Sequence, residues 1–256
     1  MDLKLNGLKA LVTGGTRGIG LAIAQAFVAE GADVALCSRD RAAVERTVAD
    51  LTRRAAGAVR VTGAAVDVAD RDALQAWTRS VAEQFDGLDI VVANVSALSI
   101  ADEVDAWKAE FETDMMGTVN LVHAAMPYLE ASQAASIVGI ASVSAREIDF
   151  AAGPYGTFKA AVVHYLQGLA YQLAPKGIRA NTVSPGNTYF AGGIWENIER
   201  NNPKLFADSL ALNPTGRMAR PEEIANAVVF IASPTASFVS GTNLVVDGAL
   251  TRGVQF

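Results

Sequence analysis

Tyr155-Gly156-Thr157-Phe158-Lys159 sets a phenol and an ammonium four residues apart. On a helix, residues i and i+4 share one face, and Pro154 suits the first helical position, so the two groups are brought together. An ammonium one turn away favours phenolate and draws down a pKa that is otherwise about 10. A phenol tuned in this way gives or takes a proton near neutral pH. Thirteen residues upstream, Ser142 closes an apolar run, where its hydroxyl can bind a carbonyl oxygen. Most serines at strand ends are plain turn residues, so Ser142 gains meaning only beside the Tyr155–Lys159 pair.

A second set of residues suits phosphate. Thr13-Gly14-Gly15-Thr16-Arg17-Gly18-Ile19-Gly20 joins the apolar run Lys9–Thr13 to an amphipathic stretch. Glycines let the backbone turn tightly and approach a pyrophosphate, whose charge then faces a helix N-terminus. Strand, Gly-rich turn and helix in that order make a strong dinucleotide signal, which places Gly14, Thr16, Gly18, Ile19 and Gly20 at the phosphates. About twenty residues on, the next apolar run ends in Ser38-Arg39. An acidic side chain there would hold a ribose 2′-hydroxyl and repel a 2′-phosphate. Ser38 and Arg39 stand there instead, with Arg17 in the turn, and two guanidinium groups can bracket a phosphate. The pattern favours NADP(H).

Both sets need a scaffold that delivers them to one edge. Seven β-branched runs read as strands: Lys9–Thr13, Asp33–Ser38, Val59–Val66, Leu88–Ala93, Ser136–Ser142, Ile178–Ser184 and Leu244–Val246. Most are continuously apolar, as in a parallel sheet buried on both faces. Between them, helical patterns run over Gly18–Glu30, Arg41–Ala55, Arg71–Phe85, Val104–Ala131, Pro154–Ala174 and Pro221–Ala232. The alternation predicts an α/β protein: a single-domain, doubly wound Rossmann fold over residues 1–256, its seven-stranded parallel sheet carrying helices on both faces. A chain 51% apolar but only 7% aromatic, with 22 Gly, suits such tight layers better than a β-sandwich.

Composition also excludes partners. A formal charge of −6 without a basic block is a poor match to nucleic acid or anionic membrane. One Cys and two His cannot assemble a Cys/His zinc site or an internal disulfide, and no metal is expected. His123 and His164 read as packing or interface groups, and Cys37 as inert. No apolar run reaches the roughly 18–20 residues of a membrane span. Met1 to Leu8 contains Asp2 and lacks an apolar core, so no leader is expected, and the reading is a cytoplasmic enzyme.

One stretch breaks the rhythm. Residues 187–215 follow a strand, carry Tyr189, Phe190, Trp195 and Phe206, and contain Gly192-Gly193. A long irregular insertion beside a binding edge is expected to be a substrate lid, the alternative being a surface helical hairpin. Ser144, Ile148, Phe150, Tyr189, Phe190, Ile194 and Trp195 would then line a mainly apolar substrate pocket. Arg146, just past Ser142, is a candidate for a polar substrate group.

Together these residues resemble the classical short-chain dehydrogenase/reductase family over essentially the whole chain. The resemblance rests on Thr13-Gly14-x-x-x-Gly18-Ile19-Gly20, Asp67-Val68, Asn94, Ser142, Tyr155-x-x-x-Lys159 and Asn181-Thr182-Val183-Ser184-Pro185-Gly186. Gly216-Arg217-Met218, Pro221-Glu222-Glu223-Ile224, Ser240-Gly241 and Val246-Asp247-Gly248 are similar to the 3-oxoacyl-acyl-carrier-protein reductase branch. The resemblance implies Tyr155 as acid/base, Ser142 positioning the carbonyl, and Lys159 tuning Tyr155 and holding the nicotinamide ribose. It sets Asp67 and Val68 against adenine and Asn94 along the adenosine ribose, with Pro185, Gly186 and Thr188 completing the cofactor contacts. It also implies a homotetramer, or else a homodimer, packed through the helices of Val104–Ala131 and Tyr155–Ala174.

Three positions depart from the family pattern. The usual Asn-Asn-Ala-Gly turn reads Asn94-Val95-Ser96-Ala97, which adds a Cβ near the cofactor path. The family's catalytic Asn is Asp114, three residues before Gly117. A carboxylate there is expected to hold the same water beside Lys159, raise the proton affinity of Lys159 and shift the pH profile. The family's Thr near the nicotinamide amide is Phe190, and Thr188 stands as its substitute. No Lys or Arg occurs from Ala109 to Ala145, and Glu130 stands where the carrier-protein reductases carry basic residues. An acidic acyl carrier would meet like charge. The expected reaction is therefore NADP(H)-dependent conversion between a hydrophobic or aromatic ketone and its secondary alcohol. The alternatives are a 3-oxoacyl thioester reductase and, from another class, a non-catalytic nucleotide-sensing protein.

Overall fold

Runs of Val, Ile, Leu and Ala without polar interruption are stable in a strand only when both faces are covered. In the structure, a computed structural model that describes residues 2–55, 57 and 59–254, they pair as seven parallel strands. Met1, part of the stretch read for a leader, lies outside the described residues. The strands are β1 (Lys9–Thr13), β2 (Asp33–Ser38), β3 (Val61–Ala65), β4 (Ile90–Ala93), β5 (Ser136–Ile140), β6 (Arg179–Pro185) and β7 (Asn243–Val246). Their order is β3-β2-β1-β4-β5-β6-β7. Val12 of β1 pairs with Leu36 of β2 on one side and Val92 of β4 on the other. The order reverses between β1 and β4, and in doubly wound sheets ligands bind outside the carboxyl ends of the strands at that point.

Helices α1 (Gly18–Ala29), α2 (Arg41–Arg54) and α3 (Arg71–Phe85) follow the first three strands. Asp40 and Asp70 cap α2 and α3, each accepting a backbone N–H at 3.0 Å, from Ala43 and Ala73. The stretch expected as one long helix, Val104–Ala131, keeps its path but is α4 (Val104–Glu110), a π-helical turn (Phe111–Met116) and α5 (Gly117–Leu129). Extra-residue turns of this kind cluster at functional sites, and periodicity at 3.6 residues does not reveal them. Helices α6 (Pro154–Leu173) and α9 (Pro221–Ala232) match the expected spans within one residue. One core packs α3, α5 and α6 through Trp77, Phe85, Leu121 and Leu166; the other packs α1, α2 and α9 through Phe27, Leu51 and Val228. The buried Arg179 of β6 donates to Ile231 O, Ala232 O and Ser233 O, setting a cation on the negative end of α9.

Residues 187–215 are irregular only at their ends. They fold into α7 (Ile194–Asn201) and α8 (Pro203–Ala211), joined at Asn202, whose side chain accepts Leu205 N–H at 3.2 Å. Trp195 and Ile198 bury one face of α7 against Met218, while Tyr189 and Phe206 pack at its edge. No described helix is long and apolar enough to cross a membrane.

Candidate active site

A cavity of about 550 Å³ opens at the carboxyl ends of the strands. At one end it is walled by the turn between β1 and α1: Gly14, Thr16, Arg17, Ile19 and Gly20. Gly18 belongs to the same turn with φ +52, and a Cβ there would meet the Phe190 ring at 2.5 Å. Gly20 is more constrained, because a Cβ would fall 2.2 Å from Gly14 O, a backbone atom. Asn94 braces the turn, its Nδ2 donating to Thr13 O at 3.0 Å and its backbone N–H to Thr13 Oγ1 at 3.0 Å. Arg17 precedes α1 without capping it by its side chain, so the first N–H groups of that helix point to the cavity end that wants an anion.

Ser38, Arg39, Asp67 and Val68 line the same end. The acidic residue next to Arg39 is Asp40, and its carboxylate is engaged in capping α2. Among the described residues neither Arg17 nor Arg39 forms an ion pair. These features fit a nicotinamide dinucleotide: a turn whose glycines have no room for a Cβ, a helix N-terminus, and two guanidinium groups.

The other end gathers the chemistry. Ser142, Tyr155 and Lys159 wall it together with Pro185, Gly186 and Thr188. Lys159 is buried, its Nζ donating to Ile140 O at 2.9 Å and lying 5.7 Å from the Tyr155 ring centroid. Ser142 Oγ accepts Ser144 N–H at 3.1 Å, which leaves its own proton free to donate. Thr188 is buried and donates to Gly186 O at 3.0 Å. The expected pocket residues Ser144, Phe150, Phe190, Ile194 and Trp195 all line the cavity, with Phe150 and Trp195 ring centroids 5.6 Å apart and the Phe190 ring against Gly18 of the phosphate turn.

Three sequence expectations fail here. Ile148 is 93% exposed and is not part of the wall, because the loop before α6 turns it outward. Tyr189 also lies outside the wall: its hydroxyl donates to Glu199 at 2.6 Å and its ring packs on Phe206. Arg146 points away from the cavity toward Gly253.

Two further expectations change in detail. The Tyr155 phenol is pushed up rather than down, because burial outweighs the pull of the Lys159 charge and the Ser142 hydrogen bond, with Asp114 and Glu110 adding to the rise. Asp114 does not hold Lys159 through a water. Its Oδ1 stands 2.9 Å from Lys159 Nζ, and both side chains are buried. For Lys159, burial would favour the neutral amine, but Asp114, Tyr155 and Glu110 outweigh it and hold the ammonium above its ordinary range.

Sequence reasoning passed over Glu110, a fully buried carboxyl that accepts Ser99 N–H at 2.5 Å. Burial first, and then the charge of Asp114 and a hydrogen bond to it, push Glu110 up to about 8. It also passed over Asp149, whose two oxygens accept from Ser144 Oγ and Ala151 N–H at 2.7 and 2.8 Å. The wall also includes Leu98 and Ile100. A signal for Glu110 was present: a Glu four residues before an Asp within an otherwise apolar helix face.

The comparisons with known proteins agree with this geometry. A family model described as Enoyl-(Acyl carrier protein) reductase matches residues 14–251. Isoepoxydon dehydrogenase patN of Penicillium expansum is 42% identical over 254 residues, covering 98% of each chain. Among solved structures, an NADPH-bound short chain oxidoreductase from Pseudomonas aeruginosa PAO1 with an atypical catalytic center superposes with TM-score 0.90 at 28% identity, covering 96% of this chain and 98% of that one. L-Sorbose reductase from Gluconobacter frateurii, complexed with NADPH and L-sorbose, gives TM-score 0.89 at 29% identity over 99% and 100% of the two chains. With the Gly-rich turn, Ser142, Tyr155 and Lys159 facing one cavity, the chain is a member of the classical short-chain dehydrogenase/reductase family of oxidoreductases.

Proposed function

We propose that the chain interconverts a small ketone and its secondary alcohol with NADP(H). The observation that carries this reading is one continuous cavity with Arg17 and Arg39 at one end and Ser142, Tyr155 and Lys159 at the other. What the nicotinamide contributes when bound is hydride exchange with the carbonyl carbon. Ser142 donates a hydrogen bond to the substrate oxygen and fixes it beside the Tyr155 hydroxyl. In reduction Tyr155 gives its proton to that oxygen, and the Lys159 ammonium stabilises the phenolate left behind. In oxidation Tyr155 takes the proton back. Asp114 holds Lys159 charged for both directions.

The pocket supports a substrate less uniformly apolar than the sequence suggested. Leu98, Ile100, Phe150, Ile194 and Trp195 offer apolar and aromatic surface. Ser144, already donating to Asp149, keeps lone pairs that can accept from a substrate hydroxyl. A ring-sized ketone bearing a hydroxyl meets both features, and isoepoxydon dehydrogenase and L-sorbose reductase are among the relatives. The segment of α7 and α8 serves as the lid. Arg17 Nη1 donates to Gly192 O at 3.1 Å, and Gly192 N–H donates to Glu196 at 2.7 Å, so the lid base is tied to the phosphate turn. Assembly through the faces of α5 and α6 into a homotetramer belongs to the same reading, and light scattering tests it.

NADPH oxidation across a panel of cyclic hydroxyketones, aromatic ketones and a carrier-bound 3-oxoacyl thioester tests the substrate class. Turnover of the thioester alone would overturn it, and turnover of none would favour a nucleotide-sensing protein. Glu130, expected to repel an acidic carrier, is paired with Lys176 at 2.5 Å, so its local repulsion is weaker than the sequence implied.

Two cofactor predictions follow from the turn. Arg39→Asp turns attraction for a 2′-phosphate into repulsion. Losing one charge-assisted bond costs roughly 1.5–3 kcal/mol, so NADPH should lose about 10- to 100-fold in kcat/KM against NADH. Wild-type preference for NADH in side-by-side kinetics would refute the assignment. Gly20→Ala sets a Cβ 2.2 Å from Gly14 O. The turn must open, and NADPH affinity measured by fluorescence titration should fall at least roughly tenfold.

A further inference from the structure

Two carboxyl groups lie beneath the catalytic end of the cavity. Glu110 and Asp114 are 0% and 1% exposed and sit one turn apart where α4 enters the π-helical turn. Each holds the loop after β4: Glu110 Oε1 accepts Ser99 N–H at 2.5 Å, and Asp114 Oδ2 accepts Ala97 N–H at 2.8 Å. Asp114 Oδ1 faces Lys159 Nζ at 2.9 Å, as an ion pair rather than an aligned hydrogen bond. Glu110 Oε2 is buried with no partner assigned among the described residues. Asp114, one helical turn along, is near enough for its charge to act on the Glu110 carboxyl. Two ionised carboxylates are acceptors only and cannot satisfy one another, and their charges repel. One proton between them removes both difficulties.

We propose that Glu110 and Asp114 hold one proton between them, and that this carboxyl–carboxylate pair positions the Lys159 ammonium and sets the pH at which Tyr155 gives up its proton. The inference rests on reading Tyr155 and Lys159 as the acid/base pair. Glu110 touches neither substrate nor cofactor and is a positioning residue.

The charged groups facing Glu110 are Asp114 from its own turn and Lys159 from α6; those facing Tyr155 are Lys159, Asp114 and Glu110. With Glu110 protonated, Asp114 and Lys159 balance and the group is neutral. When Glu110 loses its proton to solvent, at about pH 8, a second negative charge appears and pushes the Tyr155 phenol further up. Glu110 therefore makes the phenol harder to ionise in the alkaline range, where the oxidation direction needs phenolate.

Infrared pH titration of the protein without added ligand tests the shared proton, and tyrosinate absorbance tests its consequence. The C=O stretch of a protonated carboxyl should be present at neutral pH, fade as pH passes about 8, and be missing from Glu110→Gln. The Tyr155 titration is isolated by subtracting the spectrum of each protein's Tyr155→Phe counterpart. It should move to lower pH in Glu110→Gln, raising the phenolate-to-phenol ratio roughly two- to tenfold at the wild-type midpoint. A wild-type protein without the neutral-pH band, a band that survives in Glu110→Gln, or an unmoved Tyr155 midpoint would each overturn the proposal. Should Glu110→Gln not fold, the wild-type infrared titration decides. Failure of the acid/base reading shows separately, as undiminished turnover in Tyr155→Phe.

Discussion

Tyr155→Phe should lower turnover at least ~10²-fold, the lower end of what general acid–base catalysis contributes. The substitution keeps the ring, and with it the packing against Lys159 that sets its ammonium 5.7 Å from the ring centroid. It removes the hydroxyl that faces Ser142 and the substrate oxygen. Neither neighbour can take over the proton. Ser142 is a far weaker acid than a phenol, and Lys159 is held as an ammonium above its ordinary range by Asp114, Tyr155 and Glu110 against the opposing effect of burial. NADPH binding should largely persist, because the phosphate turn and Arg39 are untouched. The measurement is single-turnover reduction beside NADPH fluorescence titration. A large fall in rate at nearly constant affinity supports the mechanism, whereas a near-normal rate removes it.

The fold was legible because its signals are local and repeated. Apolar runs such as Ile90–Ala93 can be stable only inside a layered sheet, and most are followed by a helical pattern, with Asp40, Asp70, Pro154 and Pro221 as start signals. The Gly-rich turn was legible for a related reason. Gly18 sits at φ +52 and Gly20 has no room for a Cβ, so residue type reports backbone geometry there. Tyr155 and Lys159 were legible because their four-residue spacing is itself the contact.

What escaped the sequence depends on contacts between distant segments. Ile148 and Phe150 are two residues apart, yet one is solvated while the other stacks near Trp195 from α7. Nothing in their types distinguishes them. The direction of the Tyr155 shift also escaped, because spacing reveals the ammonium but not the depth of burial that outweighs it. Asp114 and Ala97 were read as independent departures from the family pattern. In the structure they are one feature, since the Ala97 N–H donates to Asp114 Oδ2. The carboxylate that replaces the family's Asn thus also secures the altered turn.

That dual role makes a truncation at Asp114 costly for stability. Asp114→Ala leaves the Lys159 ammonium buried with Ile140 O as its remaining hydrogen-bond acceptor and strips the Ala97 N–H of its acceptor. Removing one partner of a buried pair costs roughly 3–5 kcal/mol. For a chain of this size that is a fall in Tm of about 6–20 °C. The raised Lys159 pKa means its contribution is fully present below the unfolded value of 10.5 and lost only as pH rises through the folded value. The deficit from this pair should therefore be steady across neutral pH. Asp114→Asn should cost less, because an amide oxygen can still accept from Lys159 or from Ala97, though not from both. Its effect on Tyr155 is subtler than removal of one charge. Without Asp114 beside it, Glu110 loses two of the causes that raise it, while burial, the largest, remains. Above about pH 8 the wild type carries two negative charges and Asp114→Asn carries one. The alkaline limb of the oxidation rate should thus shift modestly to lower pH in Asp114→Asn. It should shift further in the double variant Glu110→Gln/Asp114→Asn, which keeps neither charge. Equal shifts in the single and double variants, with chemistry rate-limiting, would show that Asp114 acts on Tyr155 without Glu110.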